Sequence, residues 1–157
     1  MMLFYLDSSA WVKRYIREPG SGWINREFEH GILLGGSTLG LIEVTATCAR
    51  KRAAGAIDAV RFQRIEDDLL DDWSGFFQMD VTPDVVERSL RLASVGALRG
   101  ADSVHLASAI ILQAKLAIEA NEFAFVTSDL ELKAAALKTG LAVLDPQEQG
   151  GSSEPKR

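Results

Sequence analysis

The chain has 157 residues, and its 17 lysine and arginine residues against 22 aspartate and glutamate residues give a formal net charge of −5. This balance excludes a basic protein that coats nucleic acid through its bulk charge, although a local patch can still bind nucleic acid. The apolar fraction of 47% is enough for the core of one compact domain.

The net charge comes from one segment, the acidic run at residues 66–72 (EDDLLDD). It holds five acidic residues and no basic one, so the rest of the chain sums to zero. We interpret the run as a solvated helix face. A contact with a basic partner or with a second subunit is the alternative.

Three features bear on where the protein works. The single cysteine, Cys48, cannot form an internal disulfide and gives no cysteine-based metal site. No apolar run is long enough to cross a membrane, and residues 1–7 are too short and lack the basic leader of a signal peptide. We therefore expect a cytoplasmic protein with no membrane partner.

Short apolar strands and helices alternate along the chain. In chain order the pattern predicts a strand at 2–6, a helix from Ser8, a short helix at 23–29, a strand at 31–36, a helix at 39–53 capped by Ser37 or Thr38, a helix at 57–73, a strand at 76–81, a helix at 83–94, a helix at 100–118, a strand at 122–127, a helix at 130–138 and a strand at 141–144. The apolar stripe of the 57–73 helix is predicted at Ile57, Val60, Ile65, Leu69 and Trp73.

This alternation indicates an α/β protein, in which a parallel sheet is covered by helices on both faces. One domain is expected over residues 1–145. Residues 146–157 are polar and rich in glycine and serine, so we expect a disordered tail there. In such folds, sites form at the carboxyl ends of the strands.

Three aspartates stand where such a site would form. Asp7 and Asp129 follow predicted strands, and Asp102 opens a helix. Each has a structural alternative, because aspartate is a favoured helix N-cap. The alternative is weaker at Asp7, where the serines that follow could cap instead.

Glu43 is a fourth candidate. Its neighbours three and four positions away on the helix are Leu39, Gly40, Ala46 and Thr47, none of them basic. A glutamate on an apolar helix face is costly to bury without a partner. The alternative is a side chain that reaches solvent at the edge of the stripe.

Convergence of four carboxylates would require a cation, since like charges at short range raise one another's pKa values. Oxygen ligands without cysteine or a histidine pair favour Mg²⁺ or Mn²⁺, as one or two ions. A hard cation of this kind activates water, and a phosphate ester is its natural substrate.

Four segments resemble the successive motifs of PIN-domain nucleases, and most of all the VapC-type toxins of toxin–antitoxin pairs. They are FYLDSSAWVKRYIREPGS, the helix bearing Glu43, LRGADSVHLASA and FVTSDLELKAAALKTGL. The resemblance covers residues 2 to about 145. Ser128, between Thr127 and Asp129, is a small departure at a position that varies among relatives.

The resemblance implies a three-layer α/β/α sandwich with a central parallel sheet and a metal-dependent endoribonuclease site. It matches Asp7, Glu43, Asp102 and Asp129 to the family's acids. Asp7 and Asp102 would be the core metal ligands, Glu43 would orient water or bind the ion, and Asp129 would hold a second ion or the waters of the first. It further implies RNA products with 5′-phosphate and 3′-hydroxyl ends, a homodimer and a cognate antitoxin.

Supporting roles are open for several residues. Ser8 and Thr127 could hydrogen-bond a carboxylate or could serve only as caps, and His105 could contact substrate or be a structural histidine. Candidate phosphate contacts, which could equally be solvated helix faces, are Lys13, Arg14, Arg17, Arg50, Lys51, Arg52, Arg88, Arg91 and Arg99. Trp11 and Tyr15 could stack on bases, but helical spacing favours the core or a dimer face.

Two other classes of function compete with a ribonuclease. A phosphoreceiver signalling domain also gathers acids at strand ends, but it needs a lysine after a later strand, where this chain has Asp129 followed by Leu130. A catalytically silent scaffold would bind only RNA or an antitoxin. The presence of all four acids argues against it.

Overall fold

The computed structural model of the protein describes residues 2–149. Its strands are β1 (Leu3–Leu6), β2 (Leu33–Ser37), β3 (Phe77–Met79), β4 (Phe123–Val126) and β5 (Val143–Leu144). Its α-helices are α1 (Ser8–Trp11), α2 (Ser21–Glu29), α3 (Thr38–Ala53), α4 (Ala59–Ser74), α5 (Pro83–Ser94), α6 (Gly100–Lys115), α7 (Leu130–Lys138) and α8 (Pro146–Gln149). Short 3-10 turns lie at Val12–Arg14 and Ala120–Glu122.

Within residues 2–149, five strands form one sheet in the order β3-β2-β1-β4-β5, and every pairing is parallel. The first strand of the chain is therefore the central one. Tyr5 pairs with Gly35 on one side and with Phe125 on the other. Because the strands run in one direction, the residues that follow β1 and β4 meet at one edge of the sheet.

The core lies on both faces of the sheet, as the apolar strands predicted. Phe4 and Leu6 of β1 point into the layer with α1 to α4, whereas Leu3 and Tyr5 point into the layer with α6 and α7. This alternation follows from the twofold side-chain period of a strand. The prediction of a three-layer α/β/α sandwich is confirmed.

The aromatic residues Trp11 and Tyr15 belong to this core. Trp11 is fully buried, and its ring stacks on Trp73 with centroids 5.6 Å apart. The indole Nε1 of Trp11 donates to the Tyr15 hydroxyl at 3.0 Å. Both side chains are thus packed inside the protein, and neither is available to stack on a base.

The buried face of α4 differs from the predicted stripe. Val60 is 63% exposed, and Phe62 takes its place beside Ile65, Leu69 and Trp73. The spacing of three and four residues from Phe62 onward keeps these side chains on one face of the helix. The helix begins later than predicted because the Asp58 carboxylate accepts the Arg61 N–H and caps it.

The first four residues of the predicted disordered tail, 146–149, are helical. Pro146–Gln149 form helix α8, because the buried Asp145 accepts the N–H of Gln147 at 2.9 Å. Pro146 packs against Gly20, whose positive φ and lack of a side chain allow this close approach. The rest of the predicted tail, 150–157, lies outside the described residues. No helix among those described is long and apolar enough to span a membrane.

Candidate active site

Asp7 lies directly after the central strand and is 3% exposed. Its carboxylate accepts three donors. The Ser9 hydroxyl lies 2.8 Å and 2.9 Å from the two carboxylate oxygens, the Thr127 hydroxyl donates at 2.6 Å, and the Ala10 N–H donates at 2.9 Å. This last bond also makes Asp7 the N-cap of α1.

Two opposing effects act on the protonation of this carboxyl. Burial raises the pKa of Asp7 above its ordinary value, because it disfavours the charged form. His105 and the three hydrogen-bond donors act in the opposite direction but do not outweigh burial. Asp7 is therefore a buried acid whose direct partners are all neutral groups.

Two hydroxyls connect the ends of β1 and β4 around Asp7. The Ser9 Oγ accepts the Ser128 N–H at 3.0 Å, and the Thr127 Oγ1 accepts the Asp129 N–H at 3.1 Å. Thr127 therefore lies where a supporting residue was predicted. The serine that contacts Asp7 is Ser9 rather than the predicted Ser8, which begins α1. Ser8 and Ser9 are adjacent hydroxyl residues after the same strand, so the sequence alone does not distinguish between them.

Asp129 and Asp102 share one cation, the Arg99 guanidinium. Arg99 donates to Asp129 at 3.1 Å and to Asp102 at 3.3 Å. Burial first, and then the charge of Asp129, raise the pKa of Asp102, while Arg99 lowers it. The two acids therefore lie near enough to interact electrostatically.

The capping alternative holds for only one of these two acids. The Asp129 carboxylate accepts the Leu132 N–H at 2.9 Å and caps α7. The residue before α6 is Arg99, and it makes no side-chain capping bond. Asp102 lies inside the first turn of α6, so its carboxylate is not needed as the cap.

Glu43 has a partner on another helix. Its Oε1 lies 2.5 Å from Nε2 of His105, which is 1% exposed. The Glu43 side chain itself is 31% exposed, so it reaches from the protein interior to the surface. No residue of its own helix offers a partner, as predicted, and its hydrogen-bond partner comes from α6.

The donor set has the chemistry of a hard-cation site, since it consists of carboxylate oxygens. A buried Asp7 with neutral partners also leaves its negative charge available to a cation. In residues 2–149, however, no three acidic, histidine or cysteine side chains lie close enough together to hold one ion. Three of the four acids are instead bound to other side chains: Arg99 contacts Asp102 and Asp129, and His105 contacts Glu43.

Several of the predicted phosphate contacts are engaged in ion pairs instead. Lys13 is buried and pairs with Glu18 at 2.9 Å. Arg14 pairs with Asp72 at 3.3 Å. Arg99 is the basic side chain in direct contact with the candidate acids, and it is 73% exposed.

Comparison with known proteins identifies the family. The ribonucleases VapC45 (Mycobacterium tuberculosis strain CDC 1551 / Oshkosh) and VapC49 (strain ATCC 25618 / H37Rv) are each 34% identical to this chain over 110 residues, which is 70% of this chain and 76% of theirs. No family model matches the chain. The chain belongs to the family of VapC ribonucleases, the PIN-domain toxins of type II toxin–antitoxin systems.

Solved structures share the fold. PAE2754 from Pyrobaculum aerophilum aligns with a TM-score of 0.64 at 20% identity, over 94% of this chain and 86% of that one. A toxin–antitoxin complex from Klebsiella pneumoniae gives 0.61 at 18%, over 93% and 98%. Mycobacterium tuberculosis VapC20, a sarcin–ricin loop cleaving toxin, gives 0.57 at 18%, over 84% and 94%. The resemblance drawn from the four sequence motifs is confirmed.

Proposed function

We propose that this chain hydrolyses RNA phosphodiester bonds at a site built from Asp7, Glu43, Asp102 and Asp129. The observation that carries the proposal is Asp7, a nearly fully buried carboxylate after the central strand, held by three neutral donors. A buried acid without a cationic partner is costly in a purely structural role. Membership of the VapC ribonuclease family supports the same assignment.

We further propose that Mg²⁺ or Mn²⁺, as one or two ions, is the cofactor. Asp7 and Asp102 would be its main ligands, and Glu43 and Asp129 would bind the ion or its waters. A bound divalent cation lowers the pKa of water and offsets the charge of the phosphate in the transition state. Asp102 and Asp129 would have to release Arg99 in order to bind it.

The reaction is an in-line displacement at phosphorus. An oxygen–phosphorus bond forms from water, the bond from phosphorus to the 3′ oxygen breaks, and the leaving oxygen takes up a proton. The products carry 5′-phosphate and 3′-hydroxyl ends. Glu43 is suited to orient the attacking water, since its carboxylate is held at one oxygen and partly exposed. The exposed guanidinium of Arg99 is suited to contact the phosphate once it leaves the acids.

The test is RNA cleavage by purified protein with Mg²⁺ or Mn²⁺. Asp7→Asn should abolish cleavage while circular dichroism shows an unchanged fold, and EDTA should abolish wild-type cleavage reversibly. Ligation of the fragments after cleavage would reveal the expected 5′-phosphate ends. Undiminished cleavage by Asp7→Asn would refute the proposed site.

The partner that we propose is a cognate antitoxin, and RNA in the cytoplasm is the proposed target. A groove between α3 and α4 offers an apolar docking surface lined by Leu41, Ile42, Thr45, Ala46, Glu66, Leu69 and Leu70. Ile42 in this groove is 65% exposed, so an apolar side chain of a bound segment could pack on it. Expression of the chain alone should arrest growth. Harmless expression of an active enzyme would contradict the toxin assignment.

We also propose that the protein is a homodimer. Leu90 of α5, Val95 directly after α5, and Leu130 and Leu137 of α7 are 56% to 85% exposed. A cleft between these helices is lined by further apolar side chains, including Leu92 and Leu98. Val95 also lines this cleft, and exposed apolar side chains beside an apolar cleft are typical of interaction surfaces.

A further inference from the structure

A chain of buried polar groups leads from the core to Glu43. The Tyr5 hydroxyl lies 3.1 Å from Nδ1 of His105, and Nε2 of the same ring lies 2.5 Å from Oε1 of Glu43. Tyr5 and His105 are 0% and 1% exposed. We refer to these three residues as the Tyr5–His105–Glu43 chain.

The orientation of the imidazole is fixed by its packing. The Tyr5 ring meets it edge to face, with centroids 6.2 Å apart and planes inclined by 71°. Gly40 of α3 also lies against the ring, because a Cβ at this position would come within 3.1 Å of Cε1 of His105. Glycine at this position thus lets α3 approach the ring closely, and the same helix presents Glu43 to Nε2.

The hydrogen-bond chemistry assigns a role to each nitrogen of the ring. A carboxylate only accepts hydrogen bonds, so Nε2 carries the proton and donates to Glu43. In a neutral imidazole Nδ1 is then the acceptor, and the Tyr5 hydroxyl is its donor. Both ring nitrogens therefore have a partner, and the ring cannot turn over without losing both bonds.

We propose that His105 is a positioning residue, which holds one oxygen of Glu43 so that the other is directed into the active site. This inference rests on the proposed function of Glu43. His105 does not touch substrate, because it is 1% exposed. It acts in the way that an outer partner orients a metal-binding or water-binding carboxylate.

A structural histidine would stabilise the fold without regard to Glu43, and this difference can be tested. The variants are His105→Leu, which removes both bonds, and His105→Gln, whose amide N–H can still reach Glu43. Each is combined with Glu43→Gln to complete a double-mutant cycle. The two readouts are the single-turnover rate of RNA cleavage and the Mn²⁺ dissociation constant from calorimetry.

His105→Leu should lower the cleavage rate or the Mn²⁺ affinity by about 10–100-fold, the usual cost of losing an outer-shell partner. His105→Gln should recover most of that loss. In the Glu43→Gln background, His105→Leu should have no further effect, because the residue through which it acts is already disabled. Tyr5→Phe should give a smaller loss of the same kind, and it preserves the core if His105→Leu does not fold.

The proposal would be overturned if the two single losses in cleavage rate or Mn²⁺ affinity multiply in the His105→Leu, Glu43→Gln double variant. It would also be overturned if a folded His105→Gln protein is as impaired as His105→Leu. A separate outcome concerns the function on which the inference rests. If Glu43→Gln alone leaves both cleavage and Mn²⁺ binding unchanged, the proposed role of Glu43 fails. If Glu43→Gln is impaired but a folded Tyr5→Phe and a folded His105→Leu are not, only the positioning role fails.

Discussion

At the scale of single residues, the positions of the acids could be predicted but their partners could not. Asp7 and Asp129 follow strands, and that pattern is local in the sequence. The groups that hold Asp7 and Glu43 are distant, since Thr127 lies 120 positions from Asp7 and His105 lies 62 positions from Glu43. Contacts of this kind depend on the strand order β2-β1-β4, which local patterns do not specify.

The buried carboxyl of Asp7 should make stability depend on pH. Its pKa is raised in the folded protein by burial, so the folded state holds this proton more tightly than the unfolded state. Stability is therefore lost as pH rises above the ordinary value of 3.8 through the raised pKa. Asparagine does not ionise, so the Asp7→Asn protein should not lose stability through this group as pH rises. In EDTA, the variant should melt at a higher temperature than the wild type at neutral pH, and the difference should shrink at acidic pH.

Thermal unfolding monitored by circular dichroism at several pH values checks this prediction. Asp84→Asn is a suitable control, because Asp84 is an exposed acid in the first turn of α5 and is not one of the four candidate acids. The difference in melting temperature between Asp84→Asn and the wild type should not follow the same trend with pH. A lower melting temperature for Asp7→Asn at every pH would show that the three hydrogen bonds outweigh the cost of burial.

Arg99 should compete with a divalent cation for Asp102 and Asp129. It bridges both carboxylates, so an ion that binds them has to displace it. Arg99→Gln should therefore tighten Mn²⁺ binding by about two- to fivefold, a modest effect because the guanidinium is exposed and screened. If Arg99 also contacts the phosphate, cleavage should fall although metal binding improves.

Calorimetric titration with Mn²⁺ measures this effect directly. Arg91→Gln is the matched control, because Arg91 forms an exposed pair with Glu87 at 3.0 Å on α5. It removes the same charge without touching the candidate acids. Weaker Mn²⁺ binding by Arg99→Gln than by wild type would mean that Arg99 organises the acids for the ion instead of competing with it.

At the scale of elements, the acidic run on α4 is not uniformly solvated. Asp72 accepts the Tyr15 hydroxyl at 2.7 Å and Nε of Arg14 at 3.3 Å, and its side chain is 15% exposed. These bonds attach the end of α4 to the segment after α1. They also offset the unfavourable position of an acid near a helix C-terminus. The interpretation as a solvated face is therefore wrong at Asp72.

Loss of this attachment should destabilise the protein. Asp72→Ala removes the acceptor of two hydrogen bonds, one of them from a guanidinium, and should lower the free energy of unfolding by about 1–3 kcal/mol. Asp71→Ala is the matched control, because Asp71 is its exposed neighbour. It should change stability by no more than about 0.5 kcal/mol. Urea denaturation measures both, and equal effects would show that the bonds to Asp72 contribute nothing specific.

At the scale of the whole molecule, the layered architecture could be predicted because it depends on local periodicity. Continuous apolar strands, such as residues 123–126, indicate burial on both faces of the sheet. In the structure all four residues of this strand are buried. The side chains that stay exposed could not be predicted in the same way. Val60 and Val95 are apolar residues of the kind that usually pack in a core, but they are 63% and 85% exposed.

The exposure of Val95 leads to a prediction about assembly. Val95 directly follows α5 and lines the cleft between α5 and α7, together with Leu92 and Leu98. If this surface is the homodimer interface, Val95→Asp places an unpaired charge within it and should convert the dimer to a monomer. Val60→Asp makes the same change at an exposed valine of α4, outside this surface, and should remain dimeric. Size-exclusion chromatography with light scattering distinguishes the two masses. If the Val95→Asp protein is still a dimer, the interface lies on another surface. If the wild type is a monomer, the homodimer proposal is wrong.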